Sequence, residues 1–90
     1  MSLNPKRKMT FTFKDEPGKK VFVAGTFNDW SPNAAPMADR DQTGVYTATL
    51  RISRGNHEYK YVVDGAWMVD PANPDCVING HGSMNSMLAV

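Results

Sequence analysis

Hydrophobic and polar residues alternate along most of this 90-residue chain. The alternation is clearest over residues 8–14, 45–52 and 57–63, where every second side chain is apolar. A period of two residues is typical of a β-strand with one buried face. Shorter apolar stretches begin at Val21, near Met37 and at Met84, and they predict further strands. Turn-forming residues separate these segments, and no stretch has the period of a long helix.

Six to eight short strands in one small chain predict an all-β domain. We expect an immunoglobulin-like antiparallel β-sandwich of the early-set type, with a small open barrel as the rival architecture. The chain has a single cysteine, Cys76, so aliphatic and aromatic packing must replace a bridging disulfide. We treat residues 1–90 as one module with its core over 8–90. Residues 1–7 are expected to be flexible and to include part of a cloning scar.

The dipeptide Asp64-Gly65 predicts a two-residue β-hairpin turn. Such a turn places Val62 opposite Trp67, and residues opposite each other share one face of the sheet. Lys60 then lies on the same face as Trp67, where a buried ammonium group would be costly, so this face is expected to contact water. The opposite face is predicted to be core and carries Tyr59, Tyr61, Val63 and Met68.

Both tryptophans occupy positions that suggest partial exposure. Trp30 lies between Asp29 and the Ser31-Pro32 pair, all turn formers, and Trp67 shares its face with a lysine. Core filling is the ordinary role of tryptophan. A half-exposed indole can instead stack on the C–H face of a neutral sugar or on a base of single-stranded nucleic acid.

The charge and composition of the chain limit the classes of partner and of chemistry that we expect. Ten basic and nine acidic side chains nearly cancel, so we expect neither nucleic acid nor a membrane surface as partner. The unpaired cysteine and the lack of a secretory leader favour a cytoplasmic protein. No histidine or cysteine has a second ligand at metal-binding spacing, so no metal or cofactor is predicted. The carboxylates fall in turns or on open strands, which argues against a glycosidase.

Three segments in order carry a resemblance to a known family. These are GTFNDW at 25–30, HEYKYVVDGAW at 57–67, and Asp70-Pro71 followed by a terminal strand that contains Asn85. From about Lys20 to the C-terminus, the chain resembles the glycogen-binding carbohydrate-binding module, family 48, of the AMP-activated protein kinase β subunit. Related modules precede the catalytic domains of glycogen branching enzymes and isoamylases.

The resemblance implies non-catalytic binding of α-1,4-linked glucan such as glycogen, starch or maltooligosaccharide. Trp30 and Trp67 match the two stacking tryptophans of the family, while Lys60 and Asn85 match residues that hydrogen-bond sugar hydroxyls. His81 stands where the kinase modules have a leucine in a loop that contacts the glucan. The alternative function is a protein-interaction module that docks a carbohydrate-active enzyme.

Overall fold

Eight antiparallel β-strands form two sheets in the computed structural model, which describes residues 6–78 and 82–90. One turn of 3-10 helix, Thr26–Asn28, follows the second strand. The strands are β1 (Arg7–Lys14), β2 (Val21–Gly25), β3 (Pro36–Met37), β4 (Val45–Ile52), β5 (Asn56–Val63), β6 (Ala66–Met68), β7 (Cys76–Ile78) and β8 (Met84–Ala89).

The two sheets differ in width. Strands β1 and β4 form a two-stranded sheet, and the other sheet has the order β3-β2-β5-β8-β7, with β6 also paired to β5. Strands β6 and β8 follow one another along the side of β5 that faces away from β2. This arrangement confirms the predicted all-β, immunoglobulin-like antiparallel sandwich.

Aromatic side chains from β1 and β5 meet between the sheets. Phe11 packs against Tyr59, with ring centroids 5.1 Å apart and planes near perpendicular, and Phe13 packs against Tyr61 at the same centroid distance. All four rings are buried, as the alternation along both strands predicts. Edge-to-face and tilted contacts of this kind stabilise a core beyond simple burial of area. The pairing fixes which face of β5 points inward.

The predicted hairpin is confirmed. Asp64 and Gly65 both have positive φ, 47° and 84°, as a type I′ turn requires, and Val62 pairs with Trp67. The prediction that Met68 belongs to the core is wrong, because its side chain is 39% exposed. Strand β6 contains three residues and, among the described strands, pairs only with β5. It therefore lies at the margin of the wide sheet, where burial is incomplete.

A buried carboxylate joins the core to the last strands. Asp70 Oδ2 accepts hydrogen bonds from the hydroxyls of Tyr59 (2.7 Å) and Tyr61 (3.1 Å). Its second oxygen, Oδ1, accepts from the backbone N–H of Ala72 at 2.9 Å. The backbone N–H of Asp70 donates to Ser86 Oγ at 2.8 Å. We call these contacts the Asp70 network; they tie β5, β8 and the segment after β6 together.

Replacing Asp70 by Asn should test this network. Hydrogen bonds to an ionised group contribute about 1.5–3 kcal/mol, and the neutral amide loses that charge, so we expect the free energy of unfolding to fall by about that amount. Urea unfolding followed by circular dichroism measures it. Asp75→Asn, at an exposed aspartate in the same segment, is the control and should change little. Equal losses in both variants would contradict the role given to Asp70.

Alkaline pH should destabilise the fold through the same tyrosines. Burial, reinforced by the Asp70 carboxylate, raises the pKa of Tyr59 and of Tyr61 above the ordinary value. The unfolded chain releases these protons near pH 10 while the folded chain retains them, so the free energy of unfolding falls as pH rises above about 10. Urea midpoints between about pH 8 and pH 11 should therefore decline less steeply in Tyr61→Phe than in wild type. Parallel declines would contradict this assignment.

Candidate functional site

The outer face of the wide sheet is built on β5. Because Tyr59 and Tyr61 point into the core, Glu58, Lys60 and Val62 point outward. On one side of β5, the partner strand changes from β8, paired up to Tyr59, to β6, paired from Tyr61 onward. Lys60 lies between these two pairings. Side chains from both strands therefore meet beside one lysine.

Trp67 lies on this outer face, as the sequence predicted. It pairs directly with Val62, so it is a diagonal neighbour of Lys60. Trp67 is 45% exposed, whereas its cross-strand partner Val62, on the same face, is only 4% exposed. The indole is therefore an open apolar surface on the same face of the sheet as Lys60.

Asn85 reaches the same face from β8. Its neighbour Ser86 pairs with Tyr59, and Met87 pairs with Glu58, so continuation of the register puts Asn85 beside Lys60. The Asn85 side chain is buried, at 6% exposure, and its Nδ2 donates to Glu58 Oε1 at 2.9 Å. The structure thus brings Lys60, Trp67 and Asn85 together on one face.

Both of the polar side chains predicted to contact sugar have protein partners. Lys60 Nζ donates to Ser83 Oγ at 3.2 Å, and Asn85 is held by Glu58. Sequence reasoning missed Glu58 and Ser83. For Glu58 the sequence held a signal, because the period-two pattern places it on the same face as Lys60. The contact of Ser83 could not be found in this way, because it depends on the pairing of β8 with β5.

The turn that carries Trp30 is held by one asparagine. Asn28 Oδ1 accepts from the backbone N–H of Gly25 at 3.0 Å, and its Nδ2 donates to the carbonyl of Val23 at 3.1 Å. The backbone N–H of Trp30 donates to the Gly25 carbonyl at 2.9 Å. Gly25 itself pairs with Tyr59, so these bonds anchor the Trp30 backbone at the end of β2 beside β5.

Two consecutive residues in this turn have left-handed backbone conformations. Asp29 has φ 55° and Trp30 has φ 58°, a region that favours glycine. The Trp30 side chain is partly buried and not sealed in the core. Such conformations cost free energy and concentrate at functional sites, so they draw attention to this loop.

His81 lies outside the residues that the structure describes. Within residues 6–78 and 82–90, no group of three or more His, Cys, Asp or Glu side chains is placed to hold a metal ion. The same part of the chain contains no helix that is long and apolar enough to cross a membrane.

The chain matches a protein-family model and is similar to subunits of AMP-activated protein kinase. The family described as "Glycogen recognition site of AMP-activated protein kinase" matches residues 7–90. The chain is 36% identical over 75 residues to 5'-AMP-activated protein kinase subunit beta-2 of Homo sapiens, which covers 83% of this chain and 26% of that protein. It is 38% identical over 73 residues to subunit beta-1 of Rattus norvegicus, covering 81% and 25% respectively. The chain thus spans about a quarter of the length of these relatives.

Replacing Asp29 by Gly should relieve the strain in the turn before Trp30. Glycine adopts the left-handed region freely but is more flexible when unfolded, so we expect a net gain of about 0.5 kcal/mol in the free energy of unfolding. Gln42→Gly is a matched control, because Gln42 has φ 54° in a different turn. Thermal and urea unfolding measure both. A loss of stability in Asp29→Gly alone would mean that the aspartate side chain stabilises the turn.

Proposed function

The chain belongs to the family that carries the glycogen recognition site of AMP-activated protein kinase, and we propose that its outer sheet face is where glucan binds. The ligand is α-1,4-linked glucan, and the module binds it without chemical conversion. Trp67 and Trp30 stack on glucose rings, while Lys60 and Asn85 hydrogen-bond the hydroxyls.

The exposed Trp67 indole, on the same face of the sheet as Lys60, carries this proposal. A glucopyranose ring has C–H groups on its faces and hydroxyls around its rim. The C–H face packs on an indole by apolar burial and dispersion, and the rim needs donors and acceptors close by. Lys60 supplies donors only, whereas an asparagine amide supplies both a donor and an acceptor. The outer face therefore offers a stacking surface, a donor and an acceptor at neighbouring positions of the sheet.

Trp30 is proposed as a second stacking surface. Trp30 is partly buried, and its turn holds a costly backbone conformation. Both features suit a contact residue that is held in position before the ligand binds. Truncation of an aromatic anchor costs on the order of 1–3 kcal/mol in other binding sites. With two such anchors, a single site would bind with micromolar to millimolar affinity. His81 is proposed as a further contact to the glucan.

The surroundings of two carboxylates, Glu58 on the outer face and Asp70 in the core, support a non-catalytic module. Glycoside hydrolysis generally uses a pair of carboxyl groups that flank the scissile bond. Glu58 accepts a hydrogen bond from Asn85, and Asp70 is buried beneath two tyrosine hydroxyls. Both carboxylates therefore have structural partners.

The relatives are named as subunits of AMP-activated protein kinase, so association with a larger enzyme belongs to the proposal as well. A cytoplasmic location fits both the ligand, glycogen, and the single cysteine. These similarities favour a kinase as partner, and a carbohydrate-active enzyme is the alternative that the sequence predicts.

Replacing Trp67 by Ala should abolish retention on glycogen in native affinity gels. It should also weaken maltoheptaose binding at least about tenfold in calorimetric titration, because the main stacking surface is lost. Since Trp67 is 45% exposed, the melting temperature should fall only slightly. Met68→Ala is a matched control: Met68 is adjacent, 39% exposed and on the opposite face, and its loss should leave binding intact.

Two results would count against this site. Undiminished binding in Trp67→Ala would place the glucan elsewhere. Destabilisation of the size caused by a core deletion, about 3–5 kcal/mol, would show that the indole is a packing residue instead. Added salt separates sugar from nucleic acid, because affinity for a neutral glucan should stay constant while affinity for a polyanion falls steeply.

A further inference from the structure

The contact between Asn85 and Glu58 fixes the direction of the asparagine amide. An ionised carboxylate only accepts hydrogen bonds, whereas a side-chain amide has a donor end and an acceptor end. Nδ2 of Asn85 lies 2.9 Å from Glu58 Oε1. Rotating the amide by half a turn would place its oxygen against the carboxylate oxygen, which is repulsive. The Oδ1 end is therefore directed away from Glu58.

This direction matters because Lys60 lies on the same face. The lysine ammonium can only donate, so a site that also offers the Asn85 Oδ1 acceptor is matched to two neighbouring hydroxyls. One hydroxyl oxygen would accept from Lys60, and the hydrogen of the other would be donated to Asn85. We propose that Glu58 is a positioning residue, which holds the Asn85 amide so that its acceptor oxygen is turned toward the sugar. This inference rests on the proposed glucan site.

Glu58 is itself well placed for this role. Its backbone N–H donates to Thr26 Oγ1 at 3.3 Å, and that hydroxyl also lies 2.8 Å from His57 Nδ1. Thr26 begins the 3-10 turn that leads to Trp30. The same residue therefore orients the amide from β8 through its side chain and contacts the start of the Trp30 turn through its backbone. Preorganised contacts reduce the ordering cost of binding.

A pair of substitutions at Glu58 tests the proposal. Glu58→Leu removes the acceptor, frees the Asn85 amide to rotate, and should weaken maltoheptaose binding about three- to tenfold in calorimetric titration. Glu58→Gln keeps a carbonyl acceptor but can also donate, so it should weaken binding less. Glu16→Leu is the control, since Glu16 is an exposed carboxylate in the turn after β1 and should leave affinity unchanged.

A double-mutant cycle separates positioning from a general structural effect. If Glu58 acts through Asn85, then adding Glu58→Leu to Asn85→Ala should cause no further loss of affinity. A merely structural role would weaken binding in both backgrounds. In the free protein, the side-chain amide resonances of Asn85 should shift in Glu58→Leu and much less in Glu16→Leu. This readout does not depend on any ligand.

The outcomes distinguish this inference from the proposed site. Unchanged affinity in Glu58→Leu, or an equal loss in the Asn85→Ala background, would overturn the role of Glu58 while Trp67→Ala still abolishes binding. A wild-type protein that shows no affinity for glucan would overturn both. If Glu58→Leu does not fold, Glu58→Gln and the amide resonances decide: Asn85 signals identical to those of wild type in Glu58→Gln, together with unchanged affinity, would end the proposal.

Discussion

The packing of Phe11 and Phe13 against Tyr59 and Tyr61 is the contact on which the rest of the structure depends. It commits alternate residues of β5 to the interior. A slip of one residue in the register of β5 would send every one of its side chains to the opposite face. Lys60 would then enter the core, where an unpaired ammonium group is strongly disfavoured. The identity of the outer face therefore follows from the aromatic core.

The Asp70 network extends this order from the core to the margin of the sheet. A buried carboxylate loses its hydration, and only well-formed hydrogen bonds offset that loss. Two tyrosine hydroxyls and a backbone N–H provide them, and the backbone N–H of Asp70 reaches Ser86. Ser86 adjoins Asn85 in the chain, and Asp70 follows Trp67 by three residues. The same network thus holds two of the proposed glucan contacts in relation to β5.

In the proposed site, the polar side chains already have protein partners, and the Trp67 indole is exposed. Lys60 and Asn85 each have a partner, Ser83 and Glu58, before any ligand arrives. Trp67 needs no such partner, because an indole stacks through its face and loses little freedom on binding. The left-handed turn at Asp29 and Trp30 likewise fixes the backbone of the second proposed stacking residue. Weak contacts to a neutral ligand become useful when the groups that make them are already in place.

The sequence by itself determined the local features of this protein. Period-two alternation identified the long strands, Asp64-Gly65 set the hairpin register, and together they placed Lys60 and Trp67 on one face. The turn role of Asp29 followed from its residue type. The tertiary structure decided the position of Asn85 beside Lys60, the contacts made by Glu58 and Ser83, and the burial of Asp70. It also decided that Met68 is exposed, against prediction. The physical reason is that alternation and turn chemistry act between neighbours in the chain, whereas Glu58 and Asn85 are 27 residues apart and meet only because β8 pairs with β5 in one register.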